Sequence, residues 1–334
     1  MYRFLYDKDI AMDRWWAYTD AHPNATAFHT PFMWKAYRNV KNIEPFAIFA
    51  LDQDNNILGM MCGYVQRLIP FLPQSLSSRS VLMQSPLFSN ADVLGFLISN
   101  YKKCKYGKSL YTEIRAHNDE LQRTHILHKH GFFYEDHLNL TVNIAQKEED
   151  LWKQVHSKRR NEIRKAKKAG LVFRMIHSHE IDAAYGILQE VYDRAHLPLL
   201  DKGFFCNSLN QTTDKCGLVI YGAFLENQMI GTMFTLQYKN TVYDYYAGSL
   251  FSHYNLNPND LIPWEVFLHA KAQGFTDFDF GGAGKPNEPY GVRDYKKKFG
   301  GTMVNHGRYY YYANALLYRL FQTIVRLRKR RKGR

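Results

Sequence analysis

The stretch that decides the fold occurs twice, 172 residues apart. Phe46-Ala-Ile-Phe-Ala-Leu-Asp-Gln-Asp-Asn-Asn-Ile-Leu-Gly-Met-Met has a counterpart in Leu218-Val-Ile-Tyr-Gly-Ala-Phe-Leu-Glu-Asn-Gln-Met-Ile-Gly-Thr-Met. Each run places a short polar cluster between two apolar segments, the pattern of a β-hairpin. At this offset the matching pairs are Asn55 with Asn227, Ile57 with Met229, Leu58 with Ile230, and Gly59 with Gly231.

The elements predicted after each hairpin also repeat. The first hairpin is followed by a strand, a helix and a strand, near Val81–Gln84, Ala91–Tyr101 and Ser109–Arg115. The second is followed by the same series, near Thr241–Ala247, Asn259–Gln273 and Asp277–Phe280. A crossover helix makes its two strands parallel neighbours, so each half predicts a mixed sheet. We therefore expect an α+β fold of two tandem acetyltransferase (GNAT)-like domains, at residues 1–147 and 148–308, with a carboxyl-terminal helix and tail at 309–334.

Length and composition limit the class of protein. The chain has 334 residues, of which 46% are hydrophobic, enough for packed cores rather than disorder. No run approaches the roughly 20 apolar residues of a membrane-spanning helix, and the charged start does not suit a signal peptide. We therefore expect a cytoplasmic protein. The four cysteines lie far apart and the histidines lack a convincing partner set, so we expect reduced thiols and no metal site.

The net charge of +13 is concentrated in two segments. Lys158–Lys168 holds seven bases and one acid, and Arg326–Arg334 holds seven bases and no acid. The first segment predicts either a solvated helix face or a site for anions. The second follows leucines at helical spacing from Leu316 to Leu327, which suits the edge of an anionic membrane. The alternative for this end is a helix packed on the second domain with a disordered basic tail.

Three motifs resemble the FemABX peptidoglycan-bridge aminoacyltransferases. The first is Leu151-Trp152 followed by Lys158-Arg-Arg-Asn-Glu-Ile-Arg-Lys-Ala and Gly170. The second is Phe278-Asp-Phe-Gly-Gly followed by Gly291-Val-Arg-Asp-Tyr-Lys-Lys-Lys-Phe-Gly-Gly. The third, a weaker match, is Phe28-His-Thr-Pro-Phe-Met-Trp-Lys. The matches span residues 28–301 in the order that the family shows.

The resemblance implies a fold of two acetyltransferase-like domains and a transferase activity. Members move an aminoacyl group from aminoacyl-tRNA to an amine on the stem peptide of a cell-wall precursor. The implied partners are therefore aminoacyl-tRNA, a peptidoglycan precursor and, through the basic tail, an anionic membrane surface at the inner face of the plasma membrane. Residues 171–215 are too short for the helical arm of some members. We expect a monomer without a bound cofactor.

Two other activities remain open from the sequence. An acyl-CoA-dependent N-acyltransferase would usually carry Gln/Arg-x-x-Gly-x-Gly/Ala after its fourth strand, and the corresponding Gly248–Pro258 does not match. A non-catalytic tRNA- or membrane-binding protein is the other alternative. It is favoured by Ser89, which stands where the family often has an aspartate in its first domain.

The second motif supplies the candidate catalytic residues. Lys296 is expected to stabilise developing charge or to hold the terminal ribose of tRNA, and Tyr295 replaces the Phe of the family's Phe-Lys pair. A solvated strand edge is the alternative for Lys296. Asp279 is expected to bond within the glycine loop or to serve the proton route. Gly281 and Gly282 permit close approach of the backbone to substrate, or simply a tight turn.

The remaining candidates bind substrate or move a proton. Binding is expected from bases in the three motifs, at Lys35, Arg38, Arg159, Arg160, Arg164, Lys168 and Arg293. Those of the basic helix would meet phosphates, and Lys35 and Arg38 would hold a diphosphate. With Ser89 in place of an acid, the general base is open: Asp244 or Glu113 could serve, or both could be buried structural acids.

Overall fold

A computed structural model describes residues 2–69, 72–118 and 121–332, with positions 324–332 given by their backbone alone. The chain divides into two compact units. Unit 1 comprises Met1–Asp136 and His306–Arg334, and unit 2 comprises His137–Asn305. Each unit is described separately below.

Unit 1 is built on a mixed sheet with helices. Its strands are β1 Arg3–Tyr6, β2 Ile43–Leu51, β3 Ile57–Arg67, β4 Ser78–Leu82, β5 Leu87–Phe88, β6 Tyr111–Arg115, β7 Phe133–Glu135 and β15 Arg308–Tyr312. Its α-helices are α1 Met12–Ala21, α2 Pro31–Tyr37, α3 Gln74–Ser77, α4 Ala91–Lys103, α5 Leu121–Lys129 and α12 Ala315–Lys332. Three 3₁₀ turns lie at Asp7–Asp9, Ala27–His29 and Tyr106–Lys108. The sheet order is β1-β2-β3-β4-β6-β15-β7, with β5 beside β3.

Unit 2 has the same kind of sheet. Its strands are β8 Leu138–Asn143, β9 Leu171–Met175, β10 Cys216–Leu225, β11 Gln228–Tyr238, β12 Thr241–Ser249, β13 Asp277–Gly282 and β14 Thr302–Asn305. Its α-helices are α6 Glu148–Gln154, α7 Ser157–Lys168, α8 Ile181–Arg194, α9 Lys202–Asn210, α10 Pro258–Ala272 and α11 Gly291–Lys297. Two 3₁₀ segments lie at Ser178–Glu180 and Phe251–Leu256. The sheet order is β14-β8-β13-β12-β11-β10-β9.

The two hairpins confirm the predicted duplication in detail. Hairpin β2–β3 of unit 1 and hairpin β10–β11 of unit 2 each carry a β-bulge near the turn. The pairing skips Leu58 in the first hairpin and Ile230 in the second, the two residues that the sequence offset aligns. The crossovers are also confirmed, since β4 pairs with β6 in parallel and β12 pairs with β13 in parallel. Both units therefore have the α+β acetyltransferase plan.

The crossover helices anchor the two cores. In unit 1, helix α4 buries Val93, Leu94, Leu97 and Ile98 against the sheet. In unit 2, helix α10 is apolar on most sides and buries Trp264, Val266 and Phe267 among neighbours. Apolar burial on this scale is the main stabilising contribution to such a sheet-and-helix layer.

The basic segment of unit 2 forms two helices rather than one. Helix α6 ends at Gln154, and α7 begins at Ser157 after an extended backbone at Val155 and His156. The His156 ring accepts a hydrogen bond from the Lys158 amide and so caps α7, while the His156 amide donates to the Lys298 carbonyl (2.8 Å). Helix α7 ends at Lys168, and Gly170 follows with a positive φ of 82°.

The observed unit boundaries differ from the expected 1–147, 148–308 and 309–334. Strand β8, within the expected first domain, pairs with β13 and β14 of unit 2. Strand β15 pairs with β6 and β7 of unit 1, so the chain returns to the first sheet after the second is complete. Helix α12 also packs on unit 1, where Tyr318 contacts Tyr111 and Tyr312 at 5.3 and 4.3 Å between ring centroids. Packing on the second domain, one of the alternatives for this helix, is therefore wrong.

In the described part of the chain, none of the helices combines the length and apolar character needed to cross a membrane. The same residues contain no group of three His, Cys, Asp or Glu side chains placed to hold a metal ion.

Candidate active site

The candidate site of unit 2 lies where two parallel strands part. Strands β12 and β13 pair only from Thr241–Asp277 to Tyr243–Asp279. Beyond this point β12 stays paired with β11, and β13 pairs with β8 at Gly282. The two strands therefore do not hydrogen-bond to each other beyond this point. Asp244 lies on one side of the divergence, and the backbone of Phe280 to Gly282 lies on the other.

Lys296 fills this divergence from helix α11. Its ammonium donates to the carbonyl oxygen of Phe280 (2.5 Å) and to that of Gly282 (2.9 Å). Burial lowers the pKa of Lys296, and the carboxylates of Asp244 and Asp279 oppose that shift. The alternative of a solvated strand edge does not describe this residue, which is half-buried on a helix, although its neighbour Lys297 is exposed.

Two carboxyl groups accompany the lysine, and they have different roles. Asp279 accepts a hydrogen bond from the Gly281 amide (2.7 Å), which stabilises the turn after β13. Burial raises the pKa of Asp244 to about 6, with Asp279 adding to the rise and Lys296 opposing it. Asp244 is therefore an acid whose pKa lies near neutrality, as a general base requires.

The glycine loop is held in a conformation that requires glycine. Gly281 has a φ of 70°, and a Cβ there would lie 2.7 Å from the Tyr243 hydroxyl. Gly282 contributes its carbonyl to Lys296. Arg293 donates to the carbonyls of Lys285 (2.6 Å) and Glu288 (2.5 Å), so it braces the loop after Gly284. Arg293 was expected to bind substrate, and its contacts are instead with the backbone of its own unit.

Tyr295 and Arg159 form the support behind Lys296. The Arg159 guanidinium stacks over the Tyr295 ring at 4.7 Å and bonds to Glu162 (2.9 Å) and to Asp260. The Tyr295 hydroxyl donates to the Asn259 carbonyl. Burial raises the pKa of Tyr295 well above its usual value, and the nearby Asp260 adds to this. Arg159 thus joins helices α7, α10 and α11, whereas it was expected to contact a phosphate.

The other bases of α7 divide into two groups. Arg160 donates to the carbonyls of Trp152 (3.3 Å) and Lys153 (3.2 Å) at the end of α6. It was expected to contact a phosphate, and its guanidinium instead binds the backbone of the neighbouring helix. Arg164 stacks on Trp152 at 5.3 Å but stays exposed, and Lys168 is exposed at the last turn. These two remain accessible to an anion.

The expected residues of the first half lie in unit 1. Lys35 is half-buried on α2, and Arg38 follows that helix with its guanidinium 5.0 Å from the Trp34 ring centroid. Burial alone would raise the pKa of Glu113, but Arg115, Arg308 and Arg79 lower it to about 2. Glu113 is therefore a structural acid and a poor base, whereas Asp244 remains a candidate.

Sequence reasoning missed Asp260 and Tyr243. Asp260 lies in the first turn of α10 and carries the ion pair with Arg159, 101 residues away. Tyr243 lies one residue before Asp244 and packs against Gly281. Nothing in the local pattern distinguishes either residue, because both act through contacts with residues distant in sequence: Asp260 with Arg159 of α7, and Tyr243 with Gly281 of β13.

Comparison with known proteins agrees with the fold described above. Residues 153–297 match the acetyltransferase (GNAT) domain family. The crystal structure of FemX superposes with a TM-score of 0.73 at 14% identity, covering 95% of this chain and 99% of FemX. L-PGS from Bacillus licheniformis superposes with a TM-score of 0.58 at 12% identity, covering 90% of this chain and 92% of L-PGS. A tandem GNAT protein from the clavulanic acid biosynthesis pathway superposes with a TM-score of 0.55 at 8% identity, covering 94% of this chain and 99% of that protein. No curated protein matches the chain in sequence.

The chain is therefore a tandem acetyltransferase-fold protein. Its arrangement resembles that of FemX over nearly the whole length, which agrees with the fold that the sequence motifs predicted. The match of residues 153–297 to the acetyltransferase (GNAT) domain family supports an acyltransferase.

Proposed function

We propose that the protein transfers an aminoacyl group from aminoacyl-tRNA to an amine of a cell-wall precursor's stem peptide. The observation that carries the proposal is Lys296, a partly buried ammonium held by two backbone carbonyls where β12 and β13 part. An ammonium has three N–H groups, and these two bonds use two of them. The third is available to an oxygen that gains negative charge during acyl transfer.

The reaction forms one bond and breaks another. The neutral amine of the acceptor attacks the carbonyl carbon of the aminoacyl ester, and a C–N bond forms. The carbonyl oxygen becomes an oxyanion in the tetrahedral intermediate, where the Lys296 ammonium stabilises it. The C–O bond to the ribose then breaks, and the leaving oxygen takes up a proton, so that an amide and a free hydroxyl result.

Asp244 is the proposed acceptor of the amine proton. Its pKa of about 6 leaves it ionised at neutral pH, yet basic enough to take a proton from the nitrogen as the C–N bond forms. The same proton can then pass to the leaving oxygen. Tyr295 and Arg159 act as positioning residues, because they hold α11 against α7 and α10 without facing the reacting groups.

The start of helix α10 supports aminoacyl-tRNA over acyl-CoA as the donor. In acyl-CoA enzymes, backbone amides at this helix start meet the pyrophosphate. Here Pro258 has no amide hydrogen, and the amides of Asp260 and Leu261 donate to the Asn257 carbonyl.

The accessible bases of α7 support a nucleic-acid partner. Arg164 and Lys168 are exposed, as are Lys158 and Lys165 on the same helix. An exposed row of this kind suits the phosphates of tRNA, with binding that weakens as salt rises. Lys35 and Arg38 of unit 1 remain the proposed contacts for a diphosphate of the precursor.

Helix α12 supports peripheral contact with an anionic membrane. Leu316 and Leu320, one turn apart, are 68% and 54% exposed, while Leu317 and Tyr318 face the unit. Seven bases and no acid follow between Arg326 and Arg334, a stretch whose side chains lie outside the described structure. Exposed leucines beside bases match the requirements for docking on anionic lipid. Such docking would bring the enzyme to a lipid-linked precursor.

A donor competition tests the proposed function. The full chain is incubated with charged tRNA carrying labelled amino acids, or with labelled acetyl-CoA, in the presence of a peptidoglycan-precursor mixture. Transfer of label from tRNA to the precursor is the expected result, identified by the mass of the new amide. Transfer from acetyl-CoA alone would establish the acyl-CoA-dependent activity instead. No transfer from either donor, with retained tRNA binding, would indicate a binding protein.

A further inference from the structure

Two aromatic side chains of unit 2 face solvent in the segment that follows β12. Phe251 is 64% exposed and Tyr254 is 39% exposed. Both lie in the 3₁₀ segment Phe251–Leu256, which joins β12 to helix α10. Their ring centroids are 5.3 Å apart, and the ring planes are inclined at 68°. Because adjacent exposed rings, unlike single ones, leave a continuous apolar area in water, they indicate a surface that contacts a ligand.

Helix α8 holds this pair of rings in place. The Arg194 guanidinium lies 5.1 Å from the centroid of each ring and donates to the Tyr254 hydroxyl. Glu190, one turn earlier on α8, accepts from Arg194 (3.3 Å) and from the Phe251 amide (2.8 Å). We call Phe251, Tyr254 and Arg194 the aromatic platform. Since these contacts fix the rings before a ligand arrives, stacking on them orders few further side chains.

The aromatic platform lies at the open end of the divergence between β12 and β13. The two strands separate after Tyr243 and Asp279, towards their carboxyl ends, and the platform segment follows the end of β12. Phe251 is seven positions after Asp244, a length of chain that spans at most about 25 Å. A long ligand that extends from the candidate site along β12 therefore reaches the platform.

The charges of the same unit favour a polyanion as that ligand. Helix α7 carries the exposed bases Lys158, Arg164, Lys165 and Lys168. The ion pair between Arg159 and Asp260 joins α7 to the start of α10, and α10 begins directly after the platform segment. Exposed bases together with stacking rings are the combination by which proteins bind single-stranded nucleic acid.

We propose that the aromatic platform stacks an unpaired nucleobase of the RNA donor. The Phe251 ring, the more exposed of the two, supplies the stacking face. Since the platform lies away from the reacting groups, it receives a base upstream of the terminal ribose, within the short unpaired 3′ end of a tRNA. Every base has a π-face, so the contact holds the RNA without reading its sequence. This inference rests on the proposed function for the identity of the RNA, but the platform itself is defined by its three side chains.

Fluorescence anisotropy on the full chain tests the stacking contact. The probe is an uncharged, labelled RNA hairpin that ends in an unpaired 3′ ACCA segment, and a second set of hairpins replaces one base of this segment at a time by an abasic nucleotide. We expect one upstream abasic position to weaken binding by about tenfold, the effect of one stacked base. Phe251→Leu should weaken binding of the intact hairpin by a similar factor. It should bind that abasic hairpin no more weakly than the intact one, because the ring and the base act as a pair.

Two further variants and a salt titration control for other effects of the substitution. Phe251→Tyr keeps the ring and should stay within about threefold of the wild-type affinity. Phe133→Leu removes a 63% exposed ring from unit 1 and should leave the affinity unchanged. The slope of log K against log salt concentration should be the same in Phe251→Leu as in the wild type, because stacking neutralises no phosphate.

The outcomes distinguish this inference from the proposed function. Unchanged affinity of Phe251→Leu for the intact hairpin would overturn the platform. Equal losses of affinity on the intact hairpin and on every abasic one would also overturn it, since a structural role would affect all of them. Loss of the abasic effect in Phe251→Leu, without transfer by the wild type from any donor, supports the platform and refutes the transferase. Transfer from charged tRNA with an unchanged RNA affinity in Phe251→Leu does the reverse.

Discussion

Replacement of Lys296 by Met gives the sharpest test of the active site. Methionine keeps an unbranched side chain of similar length and removes the charge and all three N–H donors. The carbonyls of Phe280 and Gly282 lose their shared donor, and Asp244 loses the cation that opposes its raised pKa. Activity, stability and pH profile should each respond in a different way.

The magnitudes follow from these contacts. Loss of one donor to a developing oxyanion costs about 10²- to 10³-fold in kcat, or about 2.7–4 kcal/mol of transition-state stabilisation. Stability should change less. Two hydrogen bonds from a charged donor contribute about 1.5–3 kcal/mol each, and relief from burying the ammonium offsets part of their loss. We expect the free energy of unfolding to change by no more than about 2 kcal/mol.

The pH dependence of activity gives an independent test, because the direction of its shift can be predicted. A carboxyl with a pKa of about 6 must be ionised to accept the amine proton, so wild-type activity falls as the pH drops through about 6. Because Lys296 lowers the pKa of Asp244, its removal raises that pKa above 6. The residual activity of Lys296→Met should therefore fall at a higher pH than that of the wild type.

The assay is single-turnover transfer from labelled aminoacyl-tRNA over pH 5 to 9, with unfolding in urea followed in parallel. Lys297→Met is the matched control, since the neighbouring lysine is exposed and should retain activity. A Lys296→Met rate within about threefold of the wild type would refute the charge-stabilising role. An acid limb that stays in place would refute the coupling between Lys296 and Asp244.

Four further predictions concern Asp244, two bases of helix α7 and the exposed leucines of helix α12. Asp244→Asn should abolish the acid limb and lower kcat by about 10²- to 10⁴-fold in the same assay; an acid limb that persists would assign it to another group. Arg159→Gln should lower the urea unfolding free energy by about 3–5 kcal/mol, since it leaves Asp260 without its buried partner. Lys168→Gln should change the free energy of unfolding by no more than about 0.5 kcal/mol. It should reduce the slope of log K for tRNA binding against log salt concentration by about one, and an unchanged slope would remove this residue from the tRNA interface. The double change Leu316→Asp and Leu320→Asp should lower sedimentation with phosphatidylglycerol vesicles by about tenfold, and unchanged sedimentation would discard membrane docking.

The matched control for the last of these is Leu121→Asp. Leu121 is 90% exposed in the same unit and lies on a different helix. It should leave vesicle binding unchanged, and vesicles of phosphatidylcholine alone should bind neither protein.

Much of the fold could be predicted from local pattern. The hairpins at β2–β3 and β10–β11 were predictable because apolar runs around an Asp/Asn-type turn are short-range features. Their crossovers followed from the order of elements. The return of β15 to the first sheet was not predictable, because a run of four tyrosines suits a strand anywhere and its partner β6 lies almost 200 residues earlier. Insertion of β15 between β6 and β7 depends on where the first sheet leaves strands with unpaired backbone groups.

The candidate site was predictable by position but not by role. Lys296 and Asp279 lie in a motif, so the sequence indicated where they occur. The resemblance singled out Lys296 as the lysine of the family's Phe-Lys pair, but its bonds to the Phe280 and Gly282 carbonyls are seen only in the structure. The same holds for acids, since Glu113 and Asp244 both lie on strands. Three guanidinium groups lower the pKa of Glu113, whereas burial raises the pKa of Asp244.

The sequence by itself determined the duplicated α+β plan, the two basic segments and the motif that holds Lys296, because all three are encoded in residues close along the chain. Tertiary structure alone decided which charges are accessible. Arg159, within one of the two basic segments of the sequence, is bound by Glu162 and Asp260 and stacked on Tyr295. Whether a charge meets a ligand or its own fold depends on partners that are distant in sequence, and burial makes those pairings strong enough to matter.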